Sequence, residues 1–183
     1  MNKLLIGALL LVVNLNLTSQ GGNVFDLTPD FLGYLMMVWG AKEVNHWSKN
    51  FRKLEKTALI FAIYAGVSWL QDALNVTRGG FSFVGIVLGI MSVVIRMISL
   101  RWIIKGLFAV EEQTNFELKT SVMNVLWIGL TVLSVLNSLV GLVPVVREIC
   151  GIATLLLAVC FMAAFFRTKC YFDDAMAELE EEE

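Results

Sequence analysis

A chain of 183 residues that is 57% hydrophobic and only 16% charged departs from an ordinary soluble domain, in which about half the residues are apolar and a quarter charged. Its mean hydropathy of +0.74, concentrated in apolar runs between short polar clusters, is the pattern of a polytopic membrane protein. The net charge of −2 hides a segregation of basic residues along the chain, and three cysteines with a single histidine leave a zinc or redox site almost nothing to be built from.

Six apolar segments follow one another. The first covers about 4–17, the second 31–47, the third 57–75, the fourth 82–104, the fifth 121–143 and the sixth 145–166. A spanning helix needs roughly 20 residues, within a range of about 17–25, so the first two are marginal and draw on flanking polar residues. Lys3 ahead of the first run also fits a signal peptide. The stretch NLNLTSQ after Val13 offers no small-x-small cleavage site, however, and a retained helix is expected.

At the second segment, Thr28 can cap a helix whose first residue is Pro29, with Asp30 in the first turn where the dipole favours an anion. The stretch DLTPDFLGYLMMVWGAKEV at 26–44 resembles the Asp-x-x-Pro-Asp-Phe-x-Gly-Tyr pattern of a loose group of small, uncharacterised membrane proteins of Gram-positive bacteria. Asp26, Pro29, Asp30, Phe31, Gly33 and Tyr34 carry the match. The resemblance implies a membrane class and no particular activity.

Next, KNFRKLEK places Lys49, Arg52, Lys53 and Lys56 at i, i+3, i+4 and i+7. This basic stripe reads as a solvated helix extension touching anionic headgroups; nothing else points to nucleic acid, which is not expected as a partner. In the third segment Ala62 and Gly66 form a small-x-x-x-small pair, and Gly85 and Gly89 form another in the fourth. Because these segments are consecutive, packing against each other is favoured over a dimer interface. TNFE at 114–117 reads as a capping box opening the fifth helix. Cys150, Cys160 and Cys170 recur every ten residues along the sixth. A rise of about 15 Å per ten helical residues keeps any two from bridging. Residues 167–183 carry an acidic run and are expected to form a cytoplasmic tail.

Eleven of the 14 basic residues fall on one set of connections, Arg78 and Arg147 on the other, and Arg96 inside the fourth segment. The positive-inside bias therefore predicts an all-α, polytopic transmembrane bundle of one domain. Its six spans form three in–out–in hairpins in the plasma membrane, with both ends cytoplasmic. The phrases LNLTSQGG (15–22), LNVTRGG (74–80) and, more weakly, LNSLVG (136–141) place Asn16, Asn75 and Asn137 at the outer ends of the odd-numbered spans. Asn and Gly tolerate the left-handed backbone of a helix end. Either convergence on that chemistry or a repeated two-helix unit accounts for the recurrence.

Ionisable residues inside an apolar segment cost a few kcal/mol each and point to function. Arg96 and Glu43 lie at similar counted depths, so an intramembrane ion pair between them is expected; the alternative is that Arg96 snorkels toward the cytoplasmic headgroups. Near the outer face, Asp72, Arg147, Glu148, Trp69 and Asp30 form a candidate polar pocket, or else a belt of salt bridges and tryptophan anchors. No catalytic constellation is found: His46 is at the cytoplasmic edge, no Gly-x-Ser-x-Gly occurs, and Asp30 and Asp72 are too shallow for a buried dyad. The favoured expectation is a small-solute binding or transport-associated subunit. The alternative is a non-catalytic regulator, assembly factor or self-protection protein. Expected partners are the lipid bilayer and either another membrane protein or a second copy, with no cofactor or metal.

Overall fold

The structure, a computed structural model, describes the backbone of residues 1–12, 16–18, 24–26, 30–73, 83–139 and 144–181, and the side chains of 1–12, 30–70, 90–137 and 148–178. Over these residues the fold is all-α apart from one small ribbon. Its elements are α1 (Asn2–Val12), β1 (Asn16–Thr18), β2 (Val24–Asp26), α2 (Asp30–Val44), α3 (Lys49–Ala73), α4 (Phe83–Thr114), α5 (Thr120–Leu139) and α6 (Pro144–Glu181).

Four boundaries depart from the sequence expectations, each for a local reason. In the first apolar segment the described helix is Asn2–Val12, and Asn16 and Leu17 pair in antiparallel fashion with Asp26 and Phe25. NLNLT alternates polar and apolar residues, the period of a strand rather than of a helix. Asn16 is therefore not at a helix end, whereas Asn137 does fall in the last turn of α5; Asn75 lies outside the described residues. The third helix starts at Lys49, well before position 57, because Ser48 caps it: the amide of Asn50 donates to Ser48 Oγ at 3.2 Å. The basic stripe is thus helical.

The capping box does not form. Thr114 stays within α4, and its hydroxyl donates to the carbonyl of Val110 at 2.8 Å. Asn115, at φ 57°, ends the helix in the left-handed region that asparagine tolerates. Finally, the sixth helix runs past position 166 and into the acidic stretch. α6 continues through it to Glu181, supported by an i,i+4 pair of Lys169 with Asp173 at 2.8 Å and by burial of Phe172 and Ala175. At 38 residues, α6 is about 57 Å long.

Consecutive helices pack against one another, and α6 returns to α1 to close the bundle. Leu4 of α1 lies against Gly40 of α2, and Gly7 against Gly33, so the two run antiparallel with their backbones in close approach. A Cβ at Gly40 would lie 2.5 Å from the amide nitrogen of Leu4, and one at Gly7 would lie 2.7 Å from the carbonyl oxygen of Gly33. Gly33 and Gly40 are seven residues apart and share one face of α2. The small-residue pairing expected between α3 and α4 is different: Gly66 meets Phe31 of α2, and Ala62 is buried in the core. Gly85 and Gly89 lie outside the residues with described side chains. α3 and α4 meet where Phe51 fills the space left by Gly106, and Asn50 Nδ2 donates to the carbonyl of Lys105 at 3.1 Å.

The core holds Leu4, Leu11, Met37, Phe51, Leu100 and Phe165, all fully buried. The outside is also apolar. Leu59, Ile60, Ile63 and Val67 run exposed along α3, with Ile63 64% exposed; Val122, Val125, Ile128 and Val132 do so on α5, with Val125 at 67%. On α6 the outward residues are Ile149, Ile152, Leu156 and Val159. Among the described residues two helices are long and apolar enough to cross a membrane, over Thr120–Asn137 of α5 and Glu148–Glu178 of α6.

Candidate functional site

Among the described residues, the most enclosed ion pair joins α4 to α2. Arg96, midway along α4, donates from Nη2 to Asp30 Oδ2 at 2.9 Å, and both side chains are 16% exposed. The expected Glu43–Arg96 pair is not formed. Glu43 lies thirteen residues beyond Asp30, on the order of 20 Å along α2, and pairs there with Lys3 at the exposed start of α1. A helical side chain leans toward the N-terminus of its own helix, and Arg96 accordingly meets the first residue of α2 instead of snorkelling toward Arg101 and Lys105. Asp30 in that first turn also satisfies the positive end of the α2 dipole. The contact uses one oxygen and one nitrogen; Asp30 Oδ1 and Arg96 Nε are buried without a hydrogen bond in the structure. This pair is a fastening between α2 and α4.

The candidate outer pocket is not assembled from its described members. Asp30 is engaged by Arg96, Trp69 packs edge-on to Phe31 with ring centroids 5.8 Å apart, and Glu148 is exposed on α6. The side chains of Asp72 and Arg147 lie outside the described residues. No group of His, Cys, Asp or Glu that could hold a metal occurs among the described residues.

A different concavity opens between α4 and α5. It has a volume of about 340 Å³, and its long wall is built by Val94, Met97, Ile98 and Val135. From Val93 to Lys105 it follows roughly 18 Å of α4. Trp127 of α5 bridges the helices, donating from Nε1 to the carbonyl of Met97 at 3.0 Å. Thr131 turns its hydroxyl to the carbonyl of Trp127 at 2.8 Å, which keeps the wall apolar.

One end of this groove is cationic. The Arg101 guanidinium lies 4.7 Å from the Trp127 ring centroid and donates through Nη1 to Asn124 Oδ1. Lys105 and Lys53 approach the Trp102 ring at 5.2 and 5.3 Å. Both contacts are within the roughly 6 Å over which an aromatic face attracts a cation. The three ion pairs among the described residues are Lys3–Glu43, Arg96–Asp30 and Lys169–Asp173, so none neutralises these three cations. The arrangement can therefore accept an anionic head at one end and an apolar body along the rest.

Sequence reasoning assigned Arg101 and Lys105 only to a cytoplasmic connection and overlooked Trp102, Trp127 and Asn124. A signal was present. Arg101 and Lys105 follow Met97 at intervals of four, which puts all three on one helical face; two tryptophans near basic residues mark an interfacial level. No protein-family model matches the chain, and no curated protein or solved structure is significantly similar to it.

Proposed function

We propose that the chain is a multi-pass membrane protein whose helices cross the bilayer as three in–out–in hairpins, with both ends cytoplasmic. It binds a small amphiphilic solute in the α4–α5 groove, as a solute-binding, transport-associated subunit and not as an enzyme. The observation that carries this reading is an inverted surface. Branched aliphatic side chains point outward along α3, α5 and α6, while the Arg96–Asp30 pair is turned inward. Soluble monomers rarely expose contiguous apolar patches above about 600 Å², and an intramembrane charge faces the bundle interior with a partner. The alternating direction of the helices fits a chain that crosses repeatedly, and the distribution of 14 basic residues fits the orientation. The resemblance at 26–34 agrees with the class.

The α1 and α2 helices, with 11 and 15 residues, are shorter than the roughly 20 residues of a full span.

Two measurements test the reading. Alkaline carbonate extraction of membranes should leave the protein in the pellet; release into the supernatant would overturn the multi-pass assignment. Thermal unfolding in a non-ionic detergent, across a panel of soluble metabolites and short-chain amphiphiles, should give a saturable upward shift with amphiphiles. A Val135→Trp substitution that fills the groove should abolish it. No shift with any compound would overturn solute binding and favour the regulator alternative.

A further inference from the structure

The cationic end of the groove narrows the class of its occupant. We infer that the α4–α5 groove is a binding site for one anionic phospholipid of the cytoplasmic leaflet, its phosphate held by Arg101 and Lys105 and an acyl chain lying along Val94, Ile98 and Val135. The inference rests on the membrane reading above and names the ligand of the same groove.

Three features of the site converge on this occupant. The first is uncompensated charge. Arg101, Lys105 and Lys53 gather about two indoles with no carboxylate among the described residues paired to any of them. Nearby acids are turned elsewhere: Glu55 accepts from Asn45 Nδ2 at 3.3 Å, and Glu111 accepts from the amide of Lys119 at 3.2 Å. Cations gathered this closely repel one another, and a bound anion relieves that repulsion. Arg101 spends one N–H on Asn124 and keeps the remainder of its planar fork, the geometry that matches a phosphate, while Lys105 adds a compact, mobile charge.

The second feature is that the apolar wall is continuous with the cationic end. A soluble phosphate or a carboxylate metabolite would use Arg101 and Lys105 and leave Val94, Ile98 and Val135 facing nothing. A phospholipid uses both, because its charge and its chain are joined in the same order and at the same scale. The third is level. Trp102, Trp127, Lys105 and Arg101 form the interfacial set that anchors a helix at a headgroup layer, and the charge bias puts that layer on the cytoplasmic side. Anionic lipids concentrate there, and basic pockets between helices on that side take their head groups.

The test uses the two tryptophans that border the groove. In the full-length chain Trp39, Trp47 and Trp69 are replaced by Phe, leaving Trp102 and Trp127 as reporters. The protein is reconstituted in phosphatidylcholine vesicles containing either brominated phosphatidylglycerol or brominated phosphatidylcholine, and tryptophan quenching gives the relative affinity of the two lipids. The expected result is a preference for phosphatidylglycerol of about fivefold for each cation engaged, the worth of one basic residue at an anionic surface, and a preference that falls as salt is raised. Arg101→Gln should remove most of it. Lys105→Gln, at an exposed position, should lower it without disturbing the fold, which keeps the test sound if the arginine variant folds poorly. Equal quenching by both lipids would overturn the anionic site while leaving a lipid-accessible groove. Quenching by neither would mean that the groove is closed to lipid and would overturn the site, while the membrane reading would stand or fall on the carbonate extraction.

Discussion

α4 carries two arginines five residues apart, and they have opposite fates. Five residues turn about 140° around a helix, so Arg96 faces α2 and Arg101 faces α5. On the α2 side the structure is closed: Arg96 is neutralised by Asp30, and α1 and α2 beyond it touch backbone to backbone through glycines. On the α5 side it is open: Arg101 rests on an indole with no carboxylate partner among the described residues, at the mouth of a groove of about 340 Å³. Both arginines sit in apolar surroundings on the same helix. The difference teaches that an ionisable residue in a greasy segment serves the architecture when the fold supplies its counter-ion, and stays available to a ligand when the fold does not.

The largest expected effect is on the closed side. Asp30→Ala leaves Arg96 uncompensated, and removing one partner of a buried pair costs about 3–5 kcal/mol. Thermal unfolding in detergent should fall accordingly, and the double variant Asp30→Leu with Arg96→Met should recover most of the loss. An unchanged midpoint for Asp30→Ala would place Arg96 with Arg101, outside the architecture, and erase the contrast.

Next comes the helix contact that seals that side. Gly40→Leu forces a side chain against the Leu4 backbone, and overpacking of this kind costs about 1–3 kcal/mol, read again as a lowered unfolding midpoint. Gly151, with nothing within 4 Å of a built Cβ, is the matched control. Gly151→Ala should be neutral or stabilising by up to about 1 kcal/mol, the helix-propensity difference.

On the open side, effects on stability shrink and effects on binding grow. Trp127→Phe loses the 3.0 Å bond to Met97, worth about 0.5–1.5 kcal/mol, and should weaken lipid selectivity because the platform under Arg101 changes. Arg101→Gln loses the partly exposed cation–π contact and the hydrogen bond to Asn124, about 1–2 kcal/mol together, while abolishing most of the preference for an anionic lipid. If Arg101→Gln instead unfolds the protein as severely as Asp30→Ala, the two arginines serve the same structural end.

Much of this architecture was legible in the sequence, and the failures have physical causes. Long apolar runs announced the helices, since burial against a neighbour or lipid enforces them whatever the details. Ends were harder. TNFE has the residue types of a capping box, yet a box needs its threonine outside the helix, and Asn115 offered a left-handed exit one residue later. The acidic stretch looked like a solvated tail because charge was weighed and periodicity was not: Lys169, Phe172, Asp173 and Met176 recur at three- and four-residue intervals, which is a helical face. The ion pair was misassigned because depth was counted from span starts, and the counting placed Glu43 beside Arg96. The α4–α5 groove went unseen because a gap between helices depends on which side chains fail to meet, and no single segment encodes that.

The claim on which the account depends is that helices cross a bilayer with the cationic ends inside the cell. It is tested most directly by thiol labelling in a chain whose three cysteines, Cys150, Cys160 and Cys170, are replaced by Ser. Lys49→Cys and Glu148→Cys, both at exposed positions, are introduced singly, and intact cells are treated with a membrane-impermeant maleimide. The account predicts that Glu148→Cys is labelled from outside and Lys49→Cys only after permeabilisation. Labelling of Lys49→Cys in intact cells would contradict it.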